Sequence, residues 1–132
     1  LADFRTSIHV CPDKNLARNV ATLADVLSPL LAGRRFVVGG DFNSARHFDA
    51  VYKRRTHGSL TAKLAAVGAH DCHFALHGRE VQSYWGRAKE AYQVDHLFVD
   101  ADTAPSVQRC DVLTTDDTRR LSDHSPLILD LA

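Results

Sequence analysis

The chain has 132 residues, with 16 Lys and Arg balanced by 16 Asp and Glu, and is 45% hydrophobic. That is enough apolar material for one folded core and argues against a disordered polar tail. The zero net charge excludes an overall basic field for non-specific nucleic-acid binding, and no apolar run approaches the roughly 20 residues of a membrane span.

Thr6 to Val10 reads as a short strand interrupted by Pro12 and Asp13. From about Asn15, Leu16, Val20, Leu23, Leu27, Leu30 and Leu31 recur every three or four residues, which predicts an amphipathic helix. Asp13 or Asn15 is its cap, Pro29 tightens or ends its last turns, and Gly33 is its stop. Phe36-Val37-Val38 is an unbroken apolar run, expected to be a central strand buried on both faces. These elements make a strand–helix–strand unit. Gly39 and Gly40 then remove side chains where the chain must turn. In an extended segment Asp41 and Asn43 emerge on the same side.

A short helical stretch is expected near Ala50 to Arg55. A further helix, capped by Ser59 and closed by Gly68, carries Leu60, Leu64 and Val67. Asp71 to Leu76 reads as a short strand or loop. Val81 to Arg87 and Tyr92 to Val99 read as two strands joined by a hairpin loop over 86–91. Ser106 to Leu113 and Leu127 to Leu131 are the last two. Cys11, Cys72 and Cys110 are an odd, widely spaced set without a C-x-x-C pair. They read as buried reduced thiols, which points to a reducing, cytoplasmic setting. His70-Asp71-Cys72-His73 is metal-like as a string, but neighbours on a strand diverge, so no zinc site is expected there.

Three clusters stand out in order: Gly40-Asp41-Phe42-Asn43, Val94-Asp95-His96-Leu97-Phe98 and Ser122-Asp123-His124-Ser125-Pro126. Taken singly, each has a bland reading as a turn or an exposed edge. As an ordered set they resemble the endonuclease/exonuclease/phosphatase superfamily, the DNase-I-like metal-dependent phosphoesterases. The resemblance covers essentially the whole chain but only the second half of the family's usual domain. It implies an α/β fold: half of a four-layer α/β sandwich, a mixed sheet with helices on one face. It also implies that residues 1–132 are the C-terminal part of one such domain, truncated at the N-terminus. The missing half normally supplies an Asn and a Glu metal ligand. A piece of this kind is expected to be inactive alone and to self-associate as a dimer.

The resemblance implies divalent-metal-dependent hydrolysis of a phosphodiester or phosphomonoester, nucleic acid included, with Mg²⁺ or Mn²⁺ as cofactor. Asp123 matches a metal ligand and Asp41 the acid that positions or deprotonates the attacking water. Asn43 matches an amide that orients the phosphate. His124 corresponds to the imidazole on the phosphoryl oxygen, Asp95 to its carboxylate partner, and His9 to the group that protonates the leaving oxygen. Arg46, His47, Arg119 and Arg120 flank these motifs as candidate phosphate contacts, with a solvated surface as the competing reading. Tyr84 and Trp85 are a candidate substrate platform, with packing as the competing reading. A non-catalytic binding or scaffold module is the alternative function. A Ser/His/Asp hydrolase lacks its G-x-S-x-G turn.

Overall fold

The computed structural model describes residues 16–87 and 90–132, which form a mixed α/β structure of five helices and two small antiparallel sheets. The opening strand Thr6 to Val10, Cys11, the helix caps Asp13 and Asn15, and His9 all lie outside the described residues.

Helix α1 spans Leu16–Leu31, with Pro29 inside its last turn and Gly33 just beyond it at φ +68. Its buried line is Val20, Ala24, Leu27 and Leu31. Ala24 belongs to that stripe, while Leu30 points away and is exposed. The reason is angular: spacings of four, three and four residues stay on one face of a 3.6-residue helix.

Strand β1 spans Val37–Asp41. Next come α2 (Arg46–Tyr52), α3 (Thr56–Ala65), β2 (His70–Asp71) and α4 (Cys72–His77). Strand β3 is Asp95–Val99. A 3₁₀ turn at Ala104–Ser106 leads into β4 (Val107–Val112), then α5 (Asp116–Leu121) and β5 (Leu127–Leu131).

Several boundaries depart from the sequence expectation. The helix expected near Ala50 begins at Arg46, and the one expected to be capped by Ser59 begins at Thr56. Asp71 to Leu76 is neither simple strand nor loop. Asp71 ends β2 and caps α4, its side chain accepting from the Phe74 N–H at 3.1 Å. A cap satisfies one of the free amide donors at a helix start. Val81 to Arg87 shrinks to a single bridging residue, Tyr84, which pairs with both Tyr92 and His124.

The first sheet has the order β1-β3-β2 and the second is the β4-β5 pair. Every pairing in both is antiparallel, so the mixed sheet expected from the sequence is not formed among the described residues. The β1/β3 register places Val38 opposite Phe98, Gly39 opposite Leu97, Gly40 opposite His96 and Asp41 opposite Asp95. Cross-strand partners share a face. Phe98 and Val38 therefore join α1 and α3 in a core with Leu60, Leu64 and Phe42. Leu97 and Val99 join the opposite cluster, with Cys72, Cys110, Val107, Leu127 and Leu129. Cys72 and Cys110 are both buried free thiols.

The expectation that β1 is buried on both faces does not hold. Val37 is 53% exposed. Among the described residues β1 is an edge strand, and four of its five residues, Val37 included, are exposed. No described helix is long and apolar enough to cross a membrane.

Candidate active site

Asp41 and Asp95 face each other at the end of the β1/β3 ladder. Two carboxylates in that position repel unless something stands between them. His124 does so. Its Nδ1 lies 2.8 Å from Asp95 Oδ2, and its Nε2 lies 4.0 Å from Asp41 Oδ2. A carboxylate accepts only, so Nδ1–H donates to Asp95 and Nε2 is turned toward Asp41. The Ser83 hydroxyl, fully buried, donates to Asp95 Oδ2 at 2.7 Å and accepts from the Asp95 N–H at 3.1 Å. Asp95 is thus held on both sides before it holds His124.

The backbone explains how His124 arrives there. The Trp85 N–H donates to the Asp123 carbonyl at 2.7 Å, and the Ser125 N–H donates to the Ser83 carbonyl at 2.7 Å. Trp85 Nε1 also donates to Ser125 Oγ at 2.9 Å. The 83–85 segment is thereby stitched to the turn that carries Asp123 and His124. The Tyr84 ring lies 5.0 Å from the His124 ring, centroid to centroid.

At the end of β1 the chain turns sharply. Phe42 is buried against Phe98 and its N–H donates to the Val94 carbonyl at 2.9 Å. Asn43 adopts φ +49, and its backbone N–H donates to Asp41 Oδ1 at 2.7 Å. Asn tolerates this left-handed conformation better than most residues. Asp41 and Asn43 do lie at one hollow, but a tight turn brings them together rather than an extended alternation. One Asp41 oxygen is pinned by the turn, and the other faces His124.

That hollow is about 740 Å³ and is lined by Asp41, Asn43, Tyr84, Asp123 and His124, with Phe48, Tyr52 and Tyr92 among its aromatic neighbours. Arg87 and Glu90 also line it. No sequence signal marks Arg87, which ends what reads as an ordinary strand. The other candidates lie elsewhere. The Arg46 guanidinium sits 3.7 Å over the Phe74 ring, and Arg119 sits 4.1 Å over the Trp85 ring. Trp85 itself does not line the hollow; it is anchored to Ser125. Arg120 pairs with Asp117 at 3.3 Å, and His47 with Glu90 at 3.3 Å. His9 lies outside the described residues.

The charges at the hollow are tuned by these neighbours. Burial raises the Asp41 pKa and the Asp95 charge adds to it, against the pull of the Asn43 N–H and His124. Burial works against a charged His124, but the Asp95 hydrogen bond and the charges of Asp95, Asp41 and Asp123 outweigh it and raise the pKa.

A second group lies on the other face of β3. His57 on α3, Asp71 at the end of β2 and His96 on β3 each bring one ligand-type atom within 4.8 Å of the others. Both imidazoles are only 1% exposed. Of the metal-like string His70-Asp71-Cys72-His73, Asp71 alone belongs to this group. His73 stacks instead on His77 at 4.5 Å.

Neither a protein-family model nor a curated protein gives a significant match to this chain.

Proposed function

We propose that the chain carries the reacting groups of a divalent-metal-dependent phosphoesterase of the DNase-I-like kind, acting on a phosphodiester or phosphomonoester. One observation carries the reading. Asp41, Asn43, Asp123 and His124, from two widely separated stretches of sequence, line one hollow, with Asp95 hydrogen-bonded behind His124.

Each residue has a role that suits its surroundings. Asp41 has one oxygen free of the turn and a raised pKa, which makes it a better proton acceptor for an attacking water. Asn43 offers an amide donor to a phosphate oxygen. His124 directs Nε2 at the substrate because Asp95 occupies Nδ1, and its raised pKa favours the charged form that stabilises a developing negative oxygen. The Tyr84 ring walls the site beside His124. By resemblance, His9 protonates the leaving oxygen.

The donors on this side of β3 fit a hard cation. Asp123 is an exposed carboxylate on the hollow, and Mg²⁺ commonly uses one or two carboxylates, water and substrate phosphate. Bound at Asp123, Mg²⁺ or Mn²⁺ would offset phosphate charge that otherwise repels a nucleophile.

The test is a panel of phosphoesters, nucleic acids included, incubated with the full-length protein in Mg²⁺ and in EDTA. Metal-dependent cleavage of at least one member is expected. Asp41→Asn should abolish it while leaving the circular dichroism spectrum unchanged. No metal-dependent turnover across the panel, or full activity in Asp41→Asn, overturns the proposal.

A further inference from the structure

His57 and His96 present a separate problem in satisfying buried polar atoms. The His96 Nε2–H donates to the Ser44 carbonyl at 2.8 Å. A carbonyl accepts only, which assigns the hydrogen to Nε2 and leaves Nδ1 with a lone pair. His57 Nδ1 is engaged by the Ser44 hydroxyl at 3.1 Å. The remaining nitrogens, His96 Nδ1 and His57 Nε2, are buried and have no hydrogen-bond partner among the described residues. A buried polar atom left unpaired costs about 1–3 kcal/mol, and native proteins rarely leave two together without an occupant.

Asp71 supplies the third atom. Its Oδ1 is held by the Phe74 N–H, and its Oδ2 stands 3.8 Å from His96 Nδ1. With His57 Nδ1–H donating to the Ser44 hydroxyl oxygen, Nε2 keeps its lone pair, so that in this tautomer two imidazole nitrogens and a carboxylate oxygen are free to share an ion, each ligand fixed from behind through its other polar atom. Metal-binding histidines and carboxylates are held in this way, through a backbone carbonyl, a hydroxyl or an amide.

We propose that His57, Asp71 and His96 bind one borderline transition-metal ion, Zn²⁺ by preference, which ties α3, β2 and β3 together. With Zn–N and Zn–O bonds of about 2.0–2.1 Å, tetrahedral ligand atoms lie ~3.3 Å apart. The 3.8 Å pair then needs to close by ~0.5 Å and the others, all within 4.8 Å, by at most ~1.5 Å, which side-chain rotation supplies. Two imidazoles select Zn²⁺, Co²⁺ or Ni²⁺ over Mg²⁺, which prefers an all-oxygen shell. Glu80 Oε1, 3.9 Å from His57 Nε2, offers a further acidic oxygen beside the same nitrogen.

The site is distinct from the phosphoesterase hollow. Asp95 and His96 are adjacent on β3 and face opposite sides of the sheet, and Ser44 directly follows Asn43. An ion here would brace from behind the strand and turn that carry Asp95 and Asn43, and its binding needs no catalysis to detect.

The test uses the full chain, stripped with a chelator and titrated with Zn²⁺ under equilibrium dialysis and long-range ¹H–¹⁵N imidazole spectra. One equivalent is expected to bind and to move the His57 Nε2 and His96 Nδ1 signals, with a rise in melting temperature. Excess Mg²⁺ should not displace it. Asp71→Asn keeps an oxygen to cap α4, so it should fold and bind Zn²⁺ at least about tenfold more weakly. His70→Ala, which alters the neighbouring exposed histidine, should bind as the parent does. No stoichiometric binding, shifts confined to other histidines, or weakening by His70→Ala in place of Asp71→Asn would each overturn the proposal.

Discussion

Gly39 and Gly40 look interchangeable in the sequence, yet the structure gives them different physical duties. Opposite Gly39 lies Leu97, and a Cβ on Gly39 would run into Leu97 Cδ2 while standing 3.1 Å from its Cγ and 3.2 Å from the His96 carbonyl oxygen. Gly39→Ala therefore overpacks the β1/β3 pair, at about 1–3 kcal/mol. A Cβ on Gly40 would meet nothing within 4 Å, but Gly40 has φ +146. Gly40→Ala costs a similar ~1–3 kcal/mol, all of it backbone strain. Single variants cannot tell these causes apart, whereas a double-mutant cycle with Leu97→Ala can. Truncating Leu97 clears its Cγ and Cδ2 from above Gly39 but leaves the His96 carbonyl, so Gly39→Ala should lose most but not all of its cost in that background, a coupling of about 1–2 kcal/mol. Gly40→Ala should keep its full cost, with coupling within ~0.5 kcal/mol of zero. Urea unfolding of the parent and the five variants measures both. Rescue of Gly40→Ala by Leu97→Ala, or no rescue of Gly39→Ala, would refute the register argument on which the placement of Asp41 rests.

Asp95→Asn should lower the His124 pKa, read by imidazole NMR, and sharply reduce any phosphoester turnover. Because folding raises the His124 pKa, the stabilisation it brings is complete below the unfolded value of about 6.5 and is lost as pH rises through the folded value. The melting-temperature gap between parent and Asp95→Asn should therefore be widest in mild acid and narrow toward alkaline pH; a gap that widens there contradicts the assignment. Asp100 provides the opposite case. Burial works to raise its pKa, but the Phe36 and Thr103 N–H groups and the Thr103 hydroxyl hold it down to about 2. Its stabilisation is present above the ordinary carboxylate value of about 3.9 and disappears as pH falls toward about 2. Asp100→Asn should be less stable than the parent at neutral pH, and the difference measured by urea unfolding should shrink across that acid window.

Much of the local structure follows from residues near in sequence. The stripe through Val20 and Leu27 specifies α1, and Gly33 stops it. A weak alternation marks β4 and an apolar run marks β5. Divergence of Asp95 from His96 follows from the two-residue period of any strand. Helix α4 is not readable in this way, because its six residues are too few to display a helical period and its main signal is the single cap at Asp71. Likewise, the length of the apolar run suggested a buried β1, but burial depends on what packs beside it. Val37 lies on an uncovered edge of the described sheet.

The sequence alone determined which chemical groups this protein has to work with: carboxylates, amides and imidazoles at ordered positions along alternating helices and strands. Only tertiary structure decided which of them meet. His124 lies between Asp41 and Asp95 because the Ser83–Trp85 segment is hydrogen-bonded to the turn before β5. His57, Asp71 and His96 converge because α3, β2 and β3 pack side by side. Propensity and periodicity act over a few neighbouring residues, whereas these encounters depend on strand order and register, which no local stretch of chain encodes.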